Sequence, residues 1–462
     1  MRTSLLRVAV PLVRLQATKT RIRCRQLSAV AHQLQPQPKT ASEPISISHE
    51  QLRTRSRPNP HILVAAELAH IRKCMLNLLG AAHPGLAEVA QHFFAQPSSQ
   101  LRSIVILLFA RATNGLGRNW EQKGWEAECE TIAGRADEFD KPLYLSDILH
   151  EWNANMPDHS ESFESVFELQ EAISRPPCPP PLPTTRPFQN LTSRQTTAPS
   201  LLPTQVRLAQ IMEMIHIASL FHNDIGPTLD CAQPSESPNE EGPVYGNNLA
   251  ILGGDFLLGR ASWALSRLGE SEVVELVSSV ISNQVEGEFL QMGEVRTPAA
   301  GAFSAPKNLP EAWELYLNQT YMKTGSLMGK AARASVILGG CEQGDILREV
   351  AYLYGRNLGI AYQLAQDAQN MKELQPGQFV TGPALFASEE CPSLVPLIER
   401  RFTGRGDLKT AIQCIQTTSA VERTQALAHL YAEKARGFLG LIPDCESKFA
   451  LDTLLDIVIK RT

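Results

Sequence analysis

The chain has 462 residues, of which 43% are hydrophobic, 20% charged and 6% aromatic, and its formal net charge is −5. That composition supplies a large apolar core and excludes a disordered chain, a collagen and a small disulfide scaffold. Nine scattered cysteines, none in CxxC spacing, read as reduced thiols rather than a disulfide or zinc framework, and no apolar run approaches the ~20 residues that span a bilayer.

The charge is unevenly placed. Met1 to Ser42 holds no acidic residue but six arginines (Arg2, Arg7, Arg14, Arg21, Arg23, Arg25) and two lysines. An Arg-rich, acid-free stretch with Ser and Thr reads as a mitochondrial transit peptide over residues 1–27. Arg25-Gln26-Leu27-Ser28 supplies a processing site with arginine shortly before the cut. The other reading is a basic tail that binds anionic surfaces. Removing residues 1–27 takes the charge from −5 to −12, which argues against a nucleic-acid partner. The expected location is the mitochondrial matrix, free or associated with the inner membrane, with no transmembrane segment.

Residues 28–61 are a polar, Pro-rich leader. Helical patterns run over Ile62–Gly80 and His83–Ala95, and Ile104–Phe109 is the most apolar stretch, ending at Asn114-Gly115. Residues 62–117 are therefore expected to be the first helices of a domain. Residues 118–202 differ, being charged and then rich in proline (Pro176, Pro177, Pro179, Pro180, Pro181, Pro183, Pro187). They read as an insertion, disordered at least over 174–200, acting as a linker or as an SH3 or WW ligand.

From 203 to 462 the helical signal persists. Leu208, Ile211, Ile215 and Ala218 fall on one helical face, as do Tyr354, Leu358, Ala361, Ala365 and Ala368. Alternating β-branched runs are absent, and the breakers Gly253-Gly254, Gly339-Gly340 and Leu374-Gln375-Pro376-Gly377 are expected between helices. The predicted fold is all-α, a single large bundle of roughly ten or more helices.

Five ordered segments carry a resemblance. They are His83-Pro84-Gly85-Leu86, Gly254-Asp255-Phe256-Leu257-Leu258, Gly287-Glu288-Phe289-Leu290-Gln291, Lys323-Thr324-Gly325-Ser326-Leu327 and Tyr354 to Leu364. With Phe402, Gly406-Asp407, Arg423-Thr424 and Leu427-Ala428 they resemble the trans-prenyltransferases over 62–117 and 203–462. Within that family the chain is similar to the long-chain polyprenyl diphosphate synthases that make the ubiquinone side chain in mitochondria. The resemblance implies an isoprenoid-synthase bundle around a central cavity. There an allylic diphosphate ionises, isopentenyl diphosphate attacks the cation, and a proton is lost. Such a site must bind two diphosphates, neutralise the leaving group with Mg²⁺ and exclude water.

The family supplies Mg²⁺ ligands from two DDxxD motifs, whose i and i+4 positions share a helical face. Here the first reads Asn223-Asp224-Ile225-Gly226-Pro227, and Pro227 should end its helix early. The second reads Gln366-Asp367-Ala368-Gln369-Asn370. Six motif carboxylates have become two, Asp224 and Asp367, and Asp230 lies off the first motif's face. The family's GKxxRP motif appears as Ser98 to Ser103, with Ser99 in place of the lysine and Arg102 retained. The Arg-Arg-Gly beyond the first motif aligns with Glu240-Glu241-Gly242, a charge reversal that repels phosphate.

Other positions survive. His216 matches a contact to isopentenyl diphosphate, Lys323 and Thr324 an allylic-diphosphate clamp, and Gln363 its neighbour. Ala218 is small where a bulky residue would limit product length. These groups read as a residual isoprenoid cavity, or as helix packing and buried hydrogen bonds. An intact scaffold with dismantled sites implies a non-catalytic, stabilising pseudoenzyme subunit. It would need no cofactor of its own and would pair, as a heterodimer or heterotetramer, with a catalytic polyprenyl diphosphate synthase subunit that holds the Mg²⁺. The alternatives are an active polyprenyl transferase with an atypical metal site, using Asp224 and Asp367 as catalytic and metal residues, and a lipid-binding interaction protein.

Overall fold

The computed structural model describes residues 57–80, 100–132, 201–223, 247–292, 308–369, 381–399, 402 and 404–460. All regular structure in these residues is helical, as the periodicity predicts, and all of it belongs to the compact unit that begins at Arg57.

Asn59 caps α1 (Pro60–Leu63) by accepting from the His61 amide, with Pro60 at the first helical position, where its missing N–H costs nothing. Helix α2 (Ala65–Gly80) follows. In α3 (Leu101–Thr113) every residue except Arg111 is buried, which makes it the central helix. It is surrounded by α5 (Pro203–Asn223), α9 (Ser326–Leu338) and α15 (Glu446–Lys460). Between these lie α4 (Trp120–Ile132), α6 (Asn247–Ser266), α7 (Ser271–Met292) and α8 (Leu309–Thr320), which runs into a single π turn at Tyr321–Gly325. Helix α10 (Ile346–Gln369) packs on α9 and on α14 (Ala420–Leu439). The short α11 (Gly382–Glu390), α12 (Val395–Glu399) and α13 (Asp407–Thr417) lie between α10 and α14 in the chain.

Two apolar clusters result. The larger surrounds α3 and includes Phe109, Phe221 and Tyr354, with the Phe109 and Tyr354 rings edge to face at 5.1 Å. The smaller joins the C-terminal end of α10 to α8 and α11–α14 through Tyr316, Leu364, Leu394 and Phe402. Both helical faces read from the sequence are buried, from Leu208 to Ala218 and from Tyr354 to Ala368.

Helix α10 meets α9 and the π turn backbone to backbone. A Cβ on Gly355 would stand 2.4 Å from the Met328 carbonyl oxygen, and one on Gly359 would stand 2.8 Å from Gly325 Cα. Only glycine permits that approach, and it sets how closely α10 approaches the π turn in the second group of the site below.

Gly339-Gly340 ends α9 as expected, with Gly340 at φ 85°. Gly253-Gly254 does not separate helices: both residues lie inside α6. The reason is tertiary, because a Cβ on Gly254 would come within 2.2 Å of the His222 ring. Residues 120–132, within the expected insertion, form α4, which stays attached to the bundle. The Asn119 amide donates to the Gly340 carbonyl at 3.0 Å, and Lys123 pairs with Glu270 at 3.5 Å. The transit peptide, most of the leader, the His83–Ala95 pattern, the Pro-rich stretch and Leu374–Gly377 lie outside the described residues.

Candidate functional site

The first group forms where α3 crosses α5. Arg102, at the start of α3, is only 7% exposed, and Glu213 on α5 only 3%. Ser103 donates to Glu213 Oε1 from its amide at 3.1 Å and its hydroxyl at 2.9 Å. Burial pushes the Glu213 carboxyl up, while the Arg102 charge and the Ser103 donors pull it back. Burial draws the Arg102 guanidinium down, though a guanidinium stays charged in a protein. Its Nε is buried without a hydrogen-bond partner. His216 follows Glu213 by three residues and so shares its face. Desolvation, and then the Arg102 cation, hold its imidazole well below the ordinary 6.5, so the ring is neutral at pH 7. A cation with a spare donor beside a neutral imidazole is suited to an anion, with the Glu213 carboxyl acting against it through its attraction to Arg102.

The His216 shift has a consequence for stability. The folded state binds fewer protons than the unfolded state below pH 6.5, so stability rises with pH there and is lost as the pH falls. Thermal melts between pH 7.5 and 5 are expected to fall more steeply for the wild type than for His216→Gln, whose amide does not titrate. Equal slopes would show that His216 protonates freely in the fold.

The second group spans the π turn, α7 and α10. Lys323 Nζ lies 2.7 Å from Glu288 Oε1 on α7, and Gly287 makes room for it, since a Cβ there would stand 2.7 Å from Lys323 Cγ. Thr324 Oγ1 donates to Gln363 Oε1 at 3.2 Å, and Gln363 Nε2 donates to Asp367 Oδ1 at 2.8 Å. Asp367 Oδ2 accepts from the Tyr316 hydroxyl at 2.7 Å and the Gly382 amide at 3.4 Å. Burial pushes the Asp367 carboxyl up, opposed by the Tyr316, Gln363 and Gly382 donors and then by the Lys323 charge. A relay of hydrogen bonds thus runs from Thr324 through Gln363 and Asp367 to α8 and the start of α11.

That arrangement bears on metal binding. The second motif offers an amide at Gln366 and, at Asp367, a carboxylate that already accepts three protein donors. Such a set does not fit a hard divalent ion, which needs several free anionic oxygens. Among the described residues no three His, Cys, Asp or Glu side chains converge. Asn223 is exposed at the end of α5, and Asp224, Pro227, Glu240, Glu241, Asn370 and Ser99 lie outside the described residues. The structure brings Arg102 together with His216, and Lys323 and Thr324 close to Gln363 and Asp367.

Four groups went unassigned in the sequence reading: Glu213, Glu288, Tyr316 and the Gly382 amide. Glu288 sits inside a quoted motif, but nothing in its spacing predicts the pair with Lys323. The C-terminal pattern is structural. Asp407 accepts from the Gly404 amide at 2.9 Å, Thr424 donates to the Ala420 carbonyl at 2.8 Å, and Arg423 lies 4.3 Å over the Phe386 ring.

Residues 184–376 match the family described as "Polyprenyl synthetase". The chain is 34% identical over 416 residues to a probable mitochondrial hexaprenyl pyrophosphate synthase of Neurospora crassa, across 87% of this chain and 81% of that protein. It belongs to the polyprenyl synthetase family. A second relative, decaprenyl-diphosphate synthase subunit 1 of Schizosaccharomyces pombe, is 36% identical over 280 residues, covering 58% of this chain and 71% of that one. Among solved structures, the polyprenyl synthase of Caulobacter crescentus, determined with calcium and isoprenyl diphosphate, superposes with a TM-score of 0.56. It is 21% identical, over 88% of this chain and 99% of that one. The family's helical bundle is therefore this chain's bundle. The family match begins at residue 184, inside the expected insertion.

Proposed function

We propose that this chain is a non-catalytic, stabilising subunit of a heteromeric trans-polyprenyl diphosphate synthase that makes the isoprenoid side chain of ubiquinone. The observation that carries this reading is the engagement of Asp367. The one carboxylate left in the second motif is spent on a brace between α10, α8 and α11, and the clamp lysine is paired with Glu288. The scaffold is kept while four of the six motif carboxylates are replaced and, among the described residues, Asp367 and Lys323 are both engaged by other protein groups. Mg²⁺ then belongs to the partner, a homologous catalytic subunit, in a heterodimer or heterotetramer.

Two further points support the reading. The S. pombe relative is named as a numbered subunit, and the N. crassa relative as mitochondrial, in keeping with a transit peptide over 1–27. On α6 and α7, large apolar side chains face solvent, with Leu252 66% and Phe289 55% exposed, alongside Ile251 and Val285. Exposed apolar side chains on these two consecutive helices are the kind of surface a homologous helical partner would cover.

The second reading is an active polyprenyl transferase with an atypical metal site. It draws on the 34% identity to a synthase and on the retained pairs Arg102–His216 and Thr324–Gln363. Turnover separates the two. Residues 28–462 are assayed with farnesyl diphosphate, isopentenyl diphosphate and Mg²⁺, alone and with a catalytic homologue from the same organism. The expected result is no long-chain product alone and product appearing or rising on mixing. Long-chain product from this chain alone would overturn the subunit reading.

A further inference from the structure

Six cysteines lie among the described residues, and two of them are neighbours in space. Cys391 ends α11, where its amide donates to the Ala387 carbonyl at 2.8 Å. Cys414 lies on α13, and the two sulfurs are 3.3 Å apart. Ser393 Oγ stands 3.1 Å from Cys391 Sγ. Both cysteines are partly exposed, so small oxidants reach them. They sit on elements of the smaller apolar cluster and touch none of the groups assigned to the prenyl site.

The environments of the two thiols differ. The Ser393 hydroxyl and the Cys414 thiol stabilise charge on Cys391 and hold its thiol below the ordinary range, while Cys391 and burial push Cys414 up. A more acidic, accessible thiol beside a second one is the arrangement in which an attacking cysteine is followed by a resolving cysteine. The sulfurs need approach only to a bond length of about 2.0 Å, through side-chain rotation at exposed positions.

We propose that Cys391 and Cys414 form a redox modification site, a dithiol that hydrogen peroxide converts to an intrachain disulfide. The Cys391 thiolate attacks one peroxide oxygen, the O–O bond breaks, and Cys391 becomes a sulfenic acid as hydroxide leaves and takes a proton to form water. Cys414 sulfur then attacks Cys391 sulfur, and the hydroxyl leaves with the Cys414 proton as a second water. Two thiols and one peroxide give one disulfide and two waters. Two equivalents of a small thiol such as glutathione reverse the step through a mixed disulfide. The cross-link ties the end of α11 to α13. The opposite end of α11 carries the Gly382 amide that reaches Asp367, so oxidation stiffens the layer that braces the second motif. In a compartment that keeps thiols reduced, such a bond forms under peroxide and is transient.

The test is made on the purified chain, titrated with hydrogen peroxide, alkylated, digested without reduction and mapped by mass spectrometry. The expected product is a linked peptide pair containing Cys391 and Cys414, dominant over all other pairings and removed by glutathione. The melting temperature of the oxidised chain is expected to rise by about 5 °C. In Cys414→Ser, trapping with dimedone is expected to label Cys391 at least tenfold more than Cys414 is labelled in Cys391→Ser. Other pairings of these cysteines, disulfides between chains, or sulfinic acid without the linked pair would each overturn the proposal. The wild-type map needs no variant, so the test stands even if a serine variant folds poorly.

Discussion

Asp367→Ala is expected to destabilise the chain by about 3 kcal/mol, and to do so equally with and without Mg²⁺. The carboxylate is partly buried and serves three donors on three elements. The Tyr316 hydroxyl comes from α8, the Gln363 amide from one turn earlier on α10, and the Gly382 N–H from the start of α11. Removing it strands these groups, and each buried donor left unpaired costs on the order of 1–3 kcal/mol. Tyr316 loses most, because its side chain is only 4% exposed and its hydroxyl donates to Asp367. Asp367→Asn keeps one acceptor oxygen but turns an NH₂ toward a donor, so about half of the loss is expected to remain. Thermal or urea unfolding with 5 mM EDTA and with excess Mg²⁺, on the order of ten times the protein, checks both variants. A metal ligand would behave in the opposite way. Its removal would relieve crowded negative charge, leave the apo chain as stable as before, and abolish any stabilisation by Mg²⁺ with a diphosphate.

This prediction shows where the sequence stops being informative. The loss of carboxylates at Asn223, Pro227, Gln366 and Asn370 is visible in the motifs, because a spacing of four residues places side chains on one helical face. The use made of the remaining one is not visible. Tyr316 is 51 positions from Asp367, and Ser103 is 110 positions from Glu213. No period links such pairs, and only the packing of helices brings them together. The buried faces of α5 and α10 were legible for the converse reason, since each is a local pattern with the period of the helix itself. Gly253-Gly254 misled because glycine's weak helix propensity, about 1 kcal/mol, is outweighed by packing against His222. Cys391 and Cys414 show the same limit: scattered spacing gave no sign that two thiols from different helices meet.

Gly355→Ala is expected to cost more than any surface change, about 3 kcal/mol or above, through one added methyl group. Its Cβ would stand 2.4 Å from Met328 O, 2.8 Å from Met328 C and 2.9 Å from Gly329 Cα. All three are backbone atoms of α9, so no side chain can swing aside. Helices α9 and α10 must separate by roughly 1 Å to restore ordinary contact distances, and every buried neighbour along both helices loses packing. The separation also pulls Thr324 from Gln363, whose hydrogen bond at 3.2 Å has no slack. Gly437→Ala on α14 is the control, because a Cβ there meets nothing within 4 Å. It is expected to leave stability unchanged or raise it by about 0.5–1 kcal/mol through helix propensity. Melting of the two variants side by side checks the contrast. The Gly355 variant also separates the functional readings when mixed with a catalytic homologue. If this chain acts by holding its partner, total product falls with the amount of complex, while kcat and KM per assembled complex stay at the wild-type values. If its own cavity performs the condensation, the shifted Thr324–Gln363 pair raises KM for the allylic diphosphate in the complex that still assembles.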